Sequence, residues 1–178
     1  MNRLMLTLVG LSACLSAQAE LPKSIEHSQG TFKLCDKERV TKYFFDIVDV
    51  GIYYPNCDTA KHVFDDQTKL LRFSYLRDVE GQQFTEGAIE YLEENLTEEE
   101  KSRCSEHFAP LNNVYRDVTS GDNYDLYLFQ EEGLKLYLNG QALHQMDNPQ
   151  CHSTYLNVWF GKESMDGQFN DLAERIKR

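Results

Sequence analysis

The chain has 178 residues, 41% of them hydrophobic, and a net charge of −11. That length suits one domain, and 4 prolines without a Ser/Gly-rich run leave no linker, repeat or low-complexity segment. The acidic balance argues against nucleic acid, whose binding rests on cationic contacts to phosphate, and against an anionic lipid surface.

Met1-Asn2-Arg3 is a short positive region, Leu4 to Gly10 is almost wholly apolar, and Ala17-Gln18-Ala19 forms an A-x-A site before Glu20. This order predicts a secretory signal peptide over 1–19 and a mature domain over 20–178 located in the periplasm. The 16 residues from Leu4 to Ala19 are diluted by Ser, Thr and Gln, short of the roughly 20 apolar residues a spanning helix needs. No other stretch is apolar enough to span a bilayer, so a soluble mature chain with no transmembrane segment is expected. Leu11-Ser12-Ala13-Cys14 offers an alternative: cleavage before Cys14 would leave it acylated and the protein anchored to lipid.

Either cleavage leaves Cys35, Cys57, Cys104 and Cys151. In an exported chain these read as two disulfides, with three connectivities open. Cys35 and Cys57 flank a predicted strand hairpin, which favours pairing them and leaves Cys104 with Cys151. Cys104 and His107 stand in C-x-x-H spacing and Cys151 adjoins His152, but the second pair lacks a usual zinc spacing. Neither a metal nor a cofactor is expected. His27, His62 and His144 are scattered and read as solvated.

In chain order, Thr31 to Cys35 is a short strand followed by a polar turn at Asp36-Lys37-Glu38. Val40 to Tyr54 reads as one long strand, rich in β-branched and aromatic residues, apolar on both faces and ended by Pro55. Leu70 to Leu76 is another, placing Leu71, Phe73, Tyr75 and Arg77 on one face if extension continues. Phe84, Ala88, Tyr91 and Leu92 recur at helical spacing, as do Ile89, Leu92 and Leu96. Thr97-Glu98-Glu99-Glu100 is a capping box that opens a helix carrying Cys104. After a turn at Ser120-Gly121-Asp122, Tyr124 to Phe129, Leu134 to Leu138 and Ala142 to Met146 form a meander, with Asn139-Gly140 as its hairpin turn. Asn148-Pro149 opens a helix with Tyr155, Leu156, Trp159 and Phe160 on its apolar side. Gly161 stops it, and Ser164 is placed to cap a last helix to Ile176. This order indicates an α+β fold, an antiparallel sheet covered by helices on one face.

Several motifs carry a family resemblance. Asp49-Val50-Gly51-Ile52-Tyr53-Tyr54-Pro55 resembles a long strand ending in a small residue, an aliphatic and a tyrosine. Phe73-Ser74-Tyr75-Leu76-Arg77-Asp78-Val79 is similar to a strand-to-helix Arg-acid-aliphatic step. Gly121-Asp122, Asn139-Gly140 and Val158-Trp159-Phe160-Gly161 follow in the same order. From about Phe32 to Ile176, the chain resembles the chalcone isomerase family, and within it the exported bacterial branch. The resemblance implies an open β-sandwich-like sheet, a helical layer and a cleft between them. In plant members that cleft cyclises chalcones to flavanones; other members bind fatty acids.

Cyclisation needs a phenolate held beside its enone, a cation for the developing charge and hydroxyls that orient water. Where catalytic members have a threonine, three residues before the Gly-aliphatic-Tyr step, this chain has Val48. Arg39 matches the family's early-strand arginine only loosely, and Asp46 and Asp49 disfavour a nearby phenolate unless paired with Arg39 or Arg72. Arg77 suits either a surface pair with Asp78 or Asp117 or a cation at the cleft mouth. With Arg77, Tyr75, Phe73, Arg39 and Tyr53 as candidate ligand-binding residues and no catalytic residue assigned, the leading expectation is a non-catalytic binder of a small apolar or amphipathic ligand such as a fatty acid. The alternatives are an isomerase on another substrate, with Arg39 or Arg77 as electrophilic stabiliser, and an accessory module whose acidic surface meets a partner.

Overall fold

The computed structural model describes residues 20–176. The expected leader over 1–19, with Cys14, lies outside the described residues. Seven antiparallel strands form one curled sheet in sequence order: β1 (Ser24–His27), β2 (Gly30–Lys42), β3 (Phe45–Tyr54), β4 (Lys69–Tyr75), β5 (Asn123–Phe129), β6 (Gly133–Leu138) and β7 (Gln141–Met146). Helices α1 (Gly81–Asn95) and α2 (Glu98–Asn112) join β4 to β5; α3 (Pro149–His152), α4 (Asn157–Phe160) and α5 (Gly167–Arg175) follow β7. The architecture is the α+β one expected from the order of patterns.

Side-chain alternation divides the sheet into two faces. Val48, Val50, Ile52 and Tyr54 of β3 share the helix-covered core with Leu71, Phe73 and Tyr75 of β4 and Tyr124, Leu126 and Leu128 of β5. Residues of opposite parity, Tyr53, Leu70, Tyr127 and Phe129, form a smaller cluster with Ile25 and Phe32 on the other face. His27, expected to be solvated, is half-buried there, its ring 4.7 Å from that of Tyr127. Strand β1 carries too few apolar residues to have been predicted.

The first two strands differ from the sequence reading in two ways. Asp36-Lys37-Glu38 is not a turn but part of β2. A bulge between Leu34 and Asp36 reverses the strand's side-chain parity, and Asp36 and Glu38 then meet Arg175 of α5 at 3.1 and 2.9 Å. Nor is Val40 to Tyr54 one strand. Lys42 pairs with Phe45, and the chain reverses through Tyr43 and Phe44 at φ 50° and 70°. Positive φ at both central residues is the type I′ pattern that favours Asn-Gly. Asn139-Gly140 supplies it in the β6–β7 hairpin at φ 50° and 78°. Tyr-Phe adopts the same geometry without a sequence signal for it.

Thr97 and Glu100 close the predicted capping box at the start of α2. The helix expected after Asn148 is broken instead, with a 3-10 turn over Thr154–Leu156 between α3 and α4. Asp166 caps α5; Ser164 Oγ lies 2.9 and 2.7 Å from the carbonyl oxygens of Trp159 and Asp166, which share its one proton. Cys35, in the bulge, is bonded to Cys57, and Cys104 of α2 to Cys151 of α3. The second bridge fixes the α1–α2 pair to the segment after β7.

A buried ion pair holds the β3–β4 connection. Lys69 is fully buried, its Nζ 2.7 Å from both the Val63 carbonyl and Asp65 Oδ1. Burial raises the Asp65 carboxyl, but the Lys69 hydrogen bond and the Lys61 and Gln67 backbone amides outweigh it and hold the pKa below the ordinary value. That contribution is present above the unfolded carboxylate pKa and is lost as pH falls through the lowered folded value. Asp65→Asn leaves the ammonium buried without its counter-charge and should cost about 3–5 kcal/mol in denaturant unfolding at neutral pH. Lys69→Met should cost less, because Asp65 keeps its bonds from Lys61 and Gln67. At the other end of β3, replacing Tyr43-Phe44 by Asn-Gly should raise stability by about 1 kcal/mol by relieving left-handed strain.

Candidate functional site

Large rings stand on both sides of the interface between the inner sheet face and the helices. Phe73 meets Trp159 of α4 at 4.9 Å between centroids, and Tyr75 meets Phe84 of α1 at 5.3 Å and Tyr124 of β5 at 6.1 Å. Tyr115 closes the group, 5.6 Å from Phe84 and 5.4 Å from Tyr124. Most of these contacts are edge-to-face or tilted, as ring quadrupoles prefer. Beside them lies a cavity of about 530 Å³. Val48, Phe73, Leu126 and Leu136 supply its sheet side; Gly87, Ala88, Tyr91, Val158, Trp159 and Phe169 supply its helical side. Lys42, Asp78, Gln83, Glu86 and Glu90 are exposed residues of the lining and mark its mouth.

The tyrosine hydroxyls around this space differ in partners. Tyr124 Oη donates to the Arg116 carbonyl and accepts from its amide. Tyr115 Oη lies 3.1 Å from Tyr155 Oη, which donates to Asn112. Tyr75 is 7% exposed, and its hydroxyl has no hydrogen-bond partner among the described residues. Burial holds the Tyr75 pKa well above the ordinary phenol value, so the group remains an uncharged donor or acceptor. The lining contains no Ser, Thr, Cys, His or Arg among the described residues. What remains is a largely apolar chamber with two hydroxyls not engaged by protein partners among the described residues, that of buried Tyr75 and that of half-buried Tyr91, and a charged mouth.

Of the five candidate ligand-binding residues read from sequence, Phe73 and Tyr75 are in this lining, as is Val48 at the family's threonine position. Arg77 lies beyond the end of β4, exposed, with its guanidinium carbon 4.2 Å from the Phe45 ring centroid. It forms no pair with Asp78 or Asp117; Asp117 instead accepts from the Gly81 amide and anchors the start of α1. Arg39 lies outside the lining, gripping Asp49 through Nε and Nη2 at 2.7 and 2.9 Å and reaching Asp46 through Nη1 at 3.1 Å. Those hydrogen bonds and negative charges raise its pKa. Tyr53 is fully buried on the opposite face, donating to the Pro22 carbonyl. Parity explains both placements, since Asp49 and Tyr53 alternate with Val48 along β3. Arg72 is held by Asp125 on that outer face.

Sequence reasoning missed Lys42, Phe84, Tyr91, Tyr115 and Tyr124 as lining residues. The first depends on the unpredicted hairpin; the rings of α1 carried a helical signal, but nothing in that signal says they surround empty space. The C-x-x-H pattern resolves differently: Cys104 is in its disulfide, and His107 Nε2 lies 2.8 Å from the Asn148 amide nitrogen. His152 is buried, and that burial lowers its pKa and keeps the ring neutral.

The unequal hydroxyls generate a stability test. Tyr75→Phe removes a group with no protein partner and should change unfolding free energy by less than about 0.5 kcal/mol. Tyr124→Phe strands the Arg116 amide and carbonyl and should cost about 1–2 kcal/mol. Equal losses in chemical denaturation would mean that Tyr75 has a protein partner after all.

No curated protein matches the chain in sequence. Among solved structures, a fatty-acid binding protein of Arabidopsis thaliana has a similar fold, with a TM-score of 0.59 at 15% identity over 88% of this chain and 90% of that one. The sequence model described as chalcone isomerase-like matches residues 16–172. With that match spanning nearly the whole sequence, and with a curled antiparallel sheet under a helical layer, the chain belongs to the chalcone isomerase-like family.

Proposed function

We propose that the protein is a non-catalytic binder of a small apolar or amphipathic ligand, held in the cavity between the sheet and α1, α4 and α5. The observation that carries this reading is the cavity itself: about 530 Å³ is within the range of small-molecule sites. Its walls are aliphatic and aromatic, and the unpartnered Tyr75 hydroxyl supplies one polar contact inside. The fold shared with a fatty-acid binding protein makes an acyl chain the first class to test. Absence of catalysis is supported by Val48, which offers no hydroxyl where catalytic relatives have threonine, and by a lining whose cation stands at the rim. Phenol side chains raised far above neutral pH do not serve as bases there. The two disulfides support an oxidising, exported location.

A carboxylate head group would meet Lys42, the cation in the lining. Arg77, the sequence-based choice for that role, stands on Phe45 just outside and is the alternative that the same titration tests. Binding of a fluorescent fatty acid and of the matching alcohol should tighten by roughly tenfold for each two methylenes added, since each contributes about 0.8 kcal/mol. Gly87→Leu should abolish binding of both. A side chain there projects toward Met165, whose methyl carbon a Cβ would meet at 2.9 Å and whose flexible chain can move. Removing a mid-helix glycine also favours α1 by about 1 kcal/mol, so lost binding with an undiminished melting temperature would locate the ligand. Lys42→Ala should weaken the acid and spare the alcohol; if Arg77→Ala does this instead, the head group belongs to Arg77. Wild-type protein that binds neither compound would overturn the reading.

A further inference from the structure

The β2–β3 hairpin carries a feature that packing does not explain. At its tip Phe44 is 100% exposed, Tyr43 81% and Phe45 53%. Three consecutive exposed rings are unusual on a soluble surface and mark contact with something else. Their backbone adds a second anomaly. Tyr43 and Phe44 occupy left-handed φ values of 50° and 70°, the geometry that Asn-Gly satisfies at no such cost in the β6–β7 hairpin. A stable turn was therefore available to this sequence, and aromatic residues stand in its place.

The tip has a graded composition. Phe44 is the apex, Tyr43 brings a ring with a hydroxyl, and two cations stand behind them, Lys42 in the same hairpin and Arg77 over the Phe45 ring at 4.2 Å. An apolar apex backed by an amphipathic ring and long cationic side chains matches the order of environments from acyl chains to headgroups. A protein partner fits less well: a stable interface covers about 800 Å² on each side, far more than the apex of one two-residue turn presents. The tip also adjoins the cavity, because Val40 and Lys42 of β2 and Ile47 of β3 belong to the lining.

We propose that Tyr43-Phe44-Phe45 is a membrane-docking tip that enters the interfacial layer of a lipid bilayer and brings the cavity mouth to its surface for exchange of ligand. The exchange rests on the cavity reading above; the docking stands on the exposed rings alone. The net charge of −11 makes this attachment one of ring insertion and not of attraction to anionic lipid.

The experiment is flotation of the protein with vesicles of equimolar phosphatidylcholine and phosphatidylethanolamine, for wild type and for a variant with Tyr43→Asn and Phe44→Gly. Wild type should float with the vesicles, and the variant should lose at least about tenfold in partitioning, given the apolar area withdrawn. Because the variant suits the turn, its melting temperature should stay level or rise, and its affinity for a soluble fluorescent ligand without vesicles should be unchanged. Wild type that does not float, or a variant that floats equally well, overturns the docking proposal and leaves the cavity reading standing. Binding confined to vesicles containing phosphatidylglycerol and insensitive to the substitution would show charge-driven adsorption and also overturn it. So would wild type that ignores vesicles but self-associates through the tip in sedimentation. Flotation that depends on the tip in a protein that binds no soluble ligand supports docking and removes the exchange role.

Discussion

Edge-to-face contact between rings of the sheet and rings of the helices is the constraint on which the interior depends. Phe84 of α1 meets Tyr75 at an interplanar angle of 64° and Tyr124 at 78°, so broad faces and narrow edges alternate across the interface. Aliphatic side chains can interdigitate and draw a helix close to a sheet. Rigid rings set edge-on to one another have no such freedom, and space remains beside them. The cavity can thus be read as a consequence of which residues were placed on the inner face. The fully packed end of the same face shows the contrast. There Leu71, Leu128 and Leu134 are wholly buried, the Lys69 ammonium is enclosed by carbonyls and a carboxylate, and none of these residues lines the cavity.

The polar groups follow the same division. On the outer face, charges are neutralised in place: Arg39 by Asp49 and Asp46, Arg72 by Asp125. Cross-strand register puts each of the Arg39–Asp49 and Arg72–Asp125 pairs directly opposite. These arginines are spent on holding the sheet, leaving them no free fork to offer a ligand. Around the cavity, by contrast, the interior wall carries hydroxyls and no buried charge, and the tyrosines there remain neutral because burial disfavours the phenolate. An environment of that kind suits a ligand that is mostly apolar.

The parts of the fold that were legible in the sequence are those in which local chemistry and tertiary placement agree. Thr97 and Glu100 form the capping box their spacing announces, and Asn139-Gly140 makes its hairpin. The disulfide partners followed from which cysteines flank a predicted hairpin. Illegible features depend on information that single residues do not carry. A one-residue bulge at Cys35 reverses the facing of Asp36 and Glu38 and turns an apparent loop into strand. The alternation that makes β3 apolar on both sides hides which side holds the helices, so Tyr53 and Phe73 looked equivalent as ligand contacts although the sheet separates them. Arg77 looked like a continuation of the β4 face, but the strand ends at Tyr75.

The failure at Tyr43-Phe44 is of another kind, and it is informative. A pattern reader sees an unbroken run from Val40 to Tyr54 because β-branched and aromatic residues favour extension, and in most sequences a reversal inside such a run would carry Gly or Asn. Here local propensity and observed backbone are in conflict, while strand pairing continues on both sides of a register shift at Val40/Thr41: Val40 opposite Val48, Lys42 opposite Phe45, Arg39 pinned to Asp49 across the strands. The hairpin is therefore imposed by the pairing of β2 with β3, and the tip bears the strain. Conflict between levels is expected where a residue serves something other than the stability of its own fold. Two residues that neither pack nor relax the turn, set beside the mouth of an apolar cavity, fit that description more closely than any other pair among the described residues.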